Sequence, residues 1–263
     1  MLFEVNGKHA YAYTGGKAFD AKLPTVVFVH GAQHDHSVWI LQSRYLAHHG
    51  YGVLVVDLPG HGRSAGPALA SVEVLAEWLI AVQDAALVKQ AAIVGHSMGS
   101  LVALECAARY PARVVKIALL AIAYPMKVST ELLQATKNDE PLAQGMVNVW
   151  SHSAYAHYPN NPGPGFWIIG GNLRLMQRQK PGVMHADFAA CNAYAGGAEA
   201  AAKVRCPALF LLARRDAMTP ARAAQDFAKA VKGAKVALIE GSGHNMMAEQ
   251  PDAVLDALVE FLK

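Results

Sequence analysis

The sequence Gly-His-Ser-Met-Gly places Ser97 between two glycines, directly after an apolar run and directly before a helical one. This pattern predicts a strand, a sharp turn and a helix, with the serine in a strained backbone conformation on the turn. Such a turn leaves no space for side chains two positions away, and Gly95 and Gly99 meet that requirement. The serine hydroxyl would then project above the sheet, at the positive end of the following helix.

A serine hydroxyl becomes a useful nucleophile only when a neighbouring base accepts its proton. In this arrangement an acid and a histidine are expected to follow the serine along the chain. Asp216 and His244 follow two late predicted strands in that order, and His244 lies in a glycine-rich loop. We therefore predict Ser97, Asp216 and His244 as the catalytic residues. Asp57 is the rival acid, but it precedes Ser97 and its setting indicates a carboxylate that braces a turn.

Attack of a serine on a carbonyl creates an oxyanion that needs hydrogen-bond donors. Two backbone N–H groups qualify, that of Met98 at the start of the predicted helix and that of Ala32 after Val-His-Gly. Gly31 would let that backbone approach closely. The oxyanion hole is therefore predicted at Ala32 and Met98.

The elements that position these residues are strands rich in Val, Ile and Ala, which alternate with helical segments. Asn6-Gly7 between two alternating runs predicts a hairpin at the start. Three helices are predicted in the first half of the chain, at 37–48, from about 72 to 88 with Ser71 as its cap, and after Ser97 to about 109. Two more are predicted near the end. One has Thr219 as its cap and Pro220 as its first residue, and the other begins at Pro251. Strands are predicted at 25–30, 52–57, 91–96, 113–123, 207–213 and 235–240. The alternation predicts an α/β fold with a mostly parallel central sheet and helices on both faces.

The alternation is interrupted between residues 124 and 205, where aromatic, Gly-rich and Pro-rich stretches occur. We predict a core domain from residues 1–123 and 206–263, with 124–205 as an inserted, mainly helical cap. Apolar cap side chains either line an acyl pocket or form the cap's own core, and the sequence leaves both readings open. The predicted substrate-binding set is Trp150, Phe166, Trp167, Met176 and Phe188.

Several motifs together resemble the α/β-hydrolase family of the small-cap type. They are VFVHGAQHD, VVDLPGHGRS, IVGHSMGSLVALECAARYP, PALFLLARRDAMTP and SGHNMMAEQP, and they span most of the chain outside the cap. The resemblance implies Ser97 as nucleophile, His244 as general base and acid, and Asp216 as the residue that orients His244. It implies no metal and no organic cofactor. Members of the family are mostly esterases, lipases, lactonases, C–C bond hydrolases and cofactor-free haloperoxidases.

Serine at the turn argues against dehalogenases and epoxide hydrolases of this fold, which have aspartate there. A cluster at His30, His34, Asp35 and His36 could suggest a metal site, but its spacing fits no metal motif. We predict hydrolysis of a small-molecule acyl ester. A lactonase, a C–C bond hydrolase and a ligand-sensing protein with little turnover stay open as alternatives.

Composition limits the partners. A formal charge of +3 without a basic stripe argues against nucleic acid. The start has no apolar signal segment, and no apolar run reaches the roughly 18 residues of a membrane span. Three cysteines without a metal-like or paired spacing fit reduced thiols, so we expect a cytoplasmic protein. A homodimer stays open.

Overall fold

A computed structural model describes residues 1–157 and 167–263 of the chain. It contains one eight-stranded sheet with the order β1-β2-β4-β3-β5-β6-β7-β8. The strands are β1 Leu2–Val5, β2 Lys8–Tyr13, β3 Thr25–Val29, β4 Gly52–Val56, β5 Ala91–His96, β6 Val114–Leu120, β7 Ala208–Ala213 and β8 Lys235–Ile239. The six neighbouring strands β4, β3, β5, β6, β7 and β8 are parallel. At one edge, β1 and β2 form the predicted antiparallel hairpin, and β2 also pairs antiparallel with β4.

Helices cover both faces of the sheet, because successive side chains of each central strand point to opposite sides. Val27 and Val29 of β3 belong to one apolar core, whereas Val26 and Phe28 belong to the other. Every residue of β3, β4 and β5 is buried, as expected for parallel strands enclosed on both sides. The predicted α/β fold is therefore confirmed.

Six α-helices are described outside the region between β6 and β7. They are α1 Ile40–His48, α2 Val72–Ala85, α3 Met98–Arg109, α9 Ala221–Ala228, α10 Met246–Glu249 and α11 Pro251–Leu262. All but the short α10, which was not predicted, follow the predicted order. Ser71 caps α2 as predicted, since its side chain accepts a hydrogen bond from the N–H of Val74. None of the helices described here is long and apolar enough to cross a membrane.

One predicted helix boundary is wrong. Thr219 was the expected cap of α9 and Pro220 its first residue, but Pro220 is the cap and the helix begins at Ala221. The side chain of Thr219 is not free to cap because its hydroxyl donates to Asp216 and its N–H also binds that carboxylate. Thr219 is a suitable helix cap by residue type, but its contact with Asp216 gives the side chain another role.

Between β6 and β7 the described residues form five α-helices and a short 3₁₀ helix. They are α4 Thr130–Asn138, α5 Glu140–Trp150, a 3₁₀ helix at Ala154–His157, α6 Ile168–Gln177, α7 Val183–Ala193 and α8 Gly197–Lys203. Helices α4 to α7 share a small apolar core that includes Leu132, Val147, Met176 and Phe188. By contrast, Ala200 of α8 belongs to the main core. The division into core domain and cap at 124–205 stays a prediction.

Candidate active site

The turn between β5 and α3 has the geometry that the glycine spacing requires. Ser97 has φ 52° and ψ −117°, a positive-φ conformation that is strained for a residue with a side chain. A Cβ atom on Gly95 would collide with the carbonyl oxygen of Gly99, and a Cβ on Gly99 would lie 2.5 Å from the carbonyl oxygen of Val29. Both positions therefore exclude any larger residue, and the strained turn is held rigidly above the sheet.

Asp216 and His244 are adjacent and buried at the same end of the sheet. The Nδ1 atom of His244 lies 2.9 Å from Oδ2 of Asp216, and the two side chains are at most 5% exposed. Burial alone would raise the pKa of Asp216, but the charge and hydrogen bond of His244, with those of Thr219, outweigh it and lower the pKa. The carboxylate therefore stays ionised and fixes the proton of His244 on Nδ1.

Thr219 is a site residue that the sequence reasoning missed. Its hydroxyl lies 2.6 Å from Oδ2 of Asp216 and 3.3 Å from Nδ1 of His244, and its N–H and that of Met218 donate to Oδ1. Four donors thus converge on one carboxylate. The signal in the sequence was the threonine three residues after the aspartate, where it can close a turn on that side chain.

Two further contacts hold the loop that carries His244. Nε2–H of His96 donates to the carbonyl oxygen of His244 at 2.9 Å. The buried carboxylate of Glu249 accepts from the N–H of Gly243 at 2.9 Å and from the hydroxyl of Ser153 at 2.6 Å. Burial raises the pKa of Glu249 and lowers that of His96, so His96 stays neutral. His96 therefore holds the loop in place.

A cavity of about 390 Å³ opens over Ser97 and His244. Its lining is mainly apolar, and the described residues that form it are Ala32, Ser97, Met126, Lys127, Val128, Ser129, Leu132, Trp150, Phe188, Cys191, Ala217, Met218, Thr219 and His244. Of the two predicted oxyanion donors, Ala32 lines this cavity, and Met98 follows Ser97 as the first residue of α3, where backbone N–H groups lack helical partners.

The structure places the predicted substrate-binding residues in different surroundings, and their role in binding stays a prediction. Trp150 and Phe188 line the cavity, whereas Met176 is fully buried in the small core of the cap and Trp167 is 76% exposed. The ring of Trp167 lies against Gly170 on its own helix, away from the cavity. Phe166 lies outside the described residues. Apolar character alone did not distinguish a pocket wall from a cap core.

The rival acid and the histidine cluster have structural partners. Asp57 accepts hydrogen bonds from His36 at 2.7 and 2.8 Å and from the N–H of Arg63 at 2.9 Å, as expected of a turn-bracing carboxylate. Asp35 lies near this pair and accepts from Ser37 and Arg178.

The loop that carries Ala32 is attached to α7 through Asp187. Oδ2 of Asp187 lies 2.8 Å from the N–H of Gln33 and 2.8 Å from Nε2 of His61. Nδ1 of His61 faces the carbonyl oxygen of Pro59, so only an imidazolium donates to both oxygens. Burial alone would lower the pKa of His61, but the negative charge and hydrogen bond of Asp187 outweigh burial and raise that pKa. The residue next to Ala32 is thereby fixed by a buried ion pair.

Replacing Asp187 by Asn should lower kcat for p-nitrophenyl butyrate by roughly 10- to 100-fold, with a smaller change in KM, because a displaced oxyanion donor acts mainly on the transition state. Glu140→Gln is the matched control, since Glu140 accepts from the side chain of Gln33 at 3.1 Å and from the N–H of Gly182 at 3.3 Å, whereas Asp187 holds the backbone N–H of Gln33. Folding is checked by circular dichroism. A folded D187N protein with an unchanged kcat would remove Asp187 from this role.

The chain belongs to the alpha/beta hydrolase family, whose model matches residues 26–257. A hydrolase of (E)-2-((N-methylformamido)methylene)succinate from Acinetobacter baylyi is 24% identical over 90% of both chains. A dihydrolipoyllysine-residue acetyltransferase component of an acetoin cleaving system from Cupriavidus necator is 38% identical over 112 residues, and the match spans 42% of this chain and only 28% of that longer protein.

Solved structures agree on the fold. The enol-lactonase from Burkholderia xenovorans LB400 superposes with a TM-score of 0.88 at 21% identity, and the superposition covers 100% of this chain and 99% of that one. Esterases and a non-heme chloroperoxidase also occur among the similar proteins. The family and the fold are therefore shown, and the relatives span several reactions.

Proposed function

We propose that this protein is a serine hydrolase of carboxylic esters, with Ser97 as nucleophile, His244 as base and Asp216 as the residue that orients His244. One observation carries the proposal: Ser97, on a strained turn, faces the same cavity as a histidine whose second nitrogen is bound by a buried carboxylate. This combination supplies a nucleophile, a proton acceptor and a group that stabilises the protonated acceptor.

In the acylation step, Oγ of Ser97 attacks the ester carbonyl while Nε2 of His244 accepts the hydroxyl proton. The carbonyl oxygen becomes an oxyanion that accepts hydrogen bonds from the N–H groups of Ala32 and Met98. Each such donor contributes on the order of 3 kcal/mol to transition-state stabilisation. The carbon–oxygen bond to the alcohol then breaks, and His244 returns its proton to the leaving alcohol.

In the deacylation step, water attacks the acyl-enzyme and gives a proton to His244. The tetrahedral intermediate uses the same two donors, and its collapse releases the acid and restores the serine hydroxyl. Asp216 stays ionised throughout and stabilises the imidazolium that forms twice in each cycle. The chemistry proposed here uses only groups of this chain, the ester and water.

The cavity favours a small ester. Its volume of about 390 Å³ is at the lower end of the range for ligand pockets, and its walls are mainly apolar. Among similar proteins, an esterase, an enol-lactonase and a succinate-derivative hydrolase act on carbonyl substrates according to their names. The cysteines are unpaired, which favours a reducing compartment, and we propose the cytoplasm.

Release of p-nitrophenolate from acetate, butyrate and octanoate esters tests the activity. We expect turnover that falls with the longest acyl chain, and a parallel lactone series followed by pH-stat titration separates a lactonase from an esterase. Tight binding of an ester analogue with no turnover of either series would favour the ligand-sensing alternative. Wild-type protein that neither binds nor hydrolyses these compounds would contradict the proposal.

A further inference from the structure

The cavity over Ser97 has an asymmetric charge. Lys127 is the one permanently cationic side chain among the described residues that line it, and no Asp or Glu of the described chain lines it. The wall beside Lys127 is apolar and includes Met126, Val128 and Leu132. An anion that enters this cavity therefore meets a positive charge and no negative one.

The charge of Lys127 is also not neutralised from within the described chain. Its Nζ donates to the carbonyl oxygen of Asn192 at 3.3 Å, a neutral acceptor, and none of the ion pairs among the described residues includes it. An ammonium has three N–H donors, so two stay available for another group. By contrast, six Lys and Arg side chains of the described residues, including Arg109 and Arg214, pair with carboxylates.

Other polar groups of the cavity are partly engaged within the chain. The hydroxyl of Ser129 accepts from the N–H of Leu132 as the cap of α4, which leaves its O–H able to donate, and the hydroxyl of Thr219 donates to Asp216. A negatively charged group of a ligand would therefore find one permanent positive charge at Lys127 and a second donor at Ser129. The side chain of Lys127 is exposed, so water screens its charge on one side while the apolar wall limits that screening on the other.

We propose that Lys127 binds a free carboxylate at the far end of the acyl chain, so that the preferred substrates are esters or lactones that carry a second, anionic carboxylate. The apolar wall accommodates the methylene chain between the scissile carbonyl and the carboxylate. This inference rests on the proposed function, because it assigns a substrate class to the same cavity. Lys127 determines specificity and takes no part in bond breaking.

The test uses two esters of equal length, the p-nitrophenyl monoester of adipic acid and its methyl-capped neutral counterpart. In wild-type protein we expect the anionic ester to have the higher kcat/KM. Lys127→Gln should lower the ratio of the two kcat/KM values at least tenfold, and Lys127→Glu should lower it further. Lys137→Gln, an exposed lysine of α4 that does not line the cavity, is the control and should leave the ratio unchanged.

Failure of the inference and failure of the proposed function give different results. An unchanged ratio in K127Q, with the neutral ester still hydrolysed, overturns the carboxylate site but leaves the hydrolase. Absence of turnover of both esters overturns the hydrolase instead. Calorimetry with monomethyl adipate then decides the site without turnover when Ser97→Ala is present in both proteins: binding weakened at least tenfold by K127Q supports the site, and equal or absent binding overturns it.

Discussion

Replacing Ser97 by Ala should abolish ester hydrolysis almost completely, with kcat for p-nitrophenyl butyrate at least about 10⁴-fold lower than in wild-type protein. The reason is chemical, because alanine provides no oxygen that could form the acyl-enzyme. The hydrogen bond between His244 and Asp216 does not involve the hydroxyl, and the other residues that line the cavity stay unchanged. We therefore expect S97A to bind product acids as the wild type does while turnover is lost, measured by p-nitrophenolate release.

Ser129→Ala is the matched control for this prediction. Its hydroxyl lines the same cavity but serves as the cap of α4, so its loss should cost about 1 kcal/mol of stability and less than tenfold in kcat. Equal losses in S97A and S129A would point to general damage to the cavity. A fully active S97A protein would mean that another group attacks the carbonyl.

Replacing Asp216 by Asn should lower kcat by about 10⁴-fold with little effect on folding. An amide no longer stabilises the imidazolium of His244, and its NH₂ group favours the tautomer in which Nδ1 lacks a proton. Nε2 of His244 then carries the proton and cannot accept the one from Ser97. Hydrogen bonds from Met218 and Thr219 to the remaining oxygen should preserve the turn. Rates at several pH values and thermal unfolding measure the two effects.

Asp57→Asn distinguishes the two candidate acids. Asp57 accepts from His36 and Arg63, so its change should reduce stability by about 1–3 kcal/mol through a weakened buried network. We expect its kcat to stay within tenfold of wild type. If D57N rather than D216N shows the large loss, the orienting acid has to be reassigned.

The parts of the fold that follow from local pattern were predicted well. The hairpin at Asn6-Gly7, the buried strands and the Ser71 cap each depend on neighbouring residues, whose preferences do not need tertiary contacts. The conformation of Ser97 also follows from local sterics, because glycines two positions away identify a turn too tight for side chains. The positions of Asp216 and His244, each directly after a predicted strand, then placed both residues at the carboxyl ends of the parallel strands.

The parts that depend on distant contacts were not predicted. Asp187 binds the N–H of Gln33, 154 residues away in sequence, and no spacing rule connects a cap helix to that loop. Glu249 resembles an ordinary surface acid in the sequence, yet it is buried between Gly243 and Ser153. The hydrogen bonds of Asp187 and Glu249 depend on which distant elements pack against each other, and the pattern of residue types along the chain does not predict that packing.

The cap shows the same limit for apolar residues. Met176 and Phe188 have similar character in the sequence, but Met176 packs inside the cap whereas Phe188 also reaches the cavity. Helical periodicity predicts which face of a helix is buried, but it does not predict which element packs against that face. The position of a cap helix over the sheet therefore has to come from the three-dimensional structure.

Reaction of the wild-type protein with a fluorophosphonate, followed by tryptic digestion and mass spectrometry, tests the central claim most directly. We expect one adduct, on the peptide that contains Ser97, formed at a rate that falls by orders of magnitude in H244A. A folded protein that stays unlabelled at Ser97 while hydrolysing esters would contradict it.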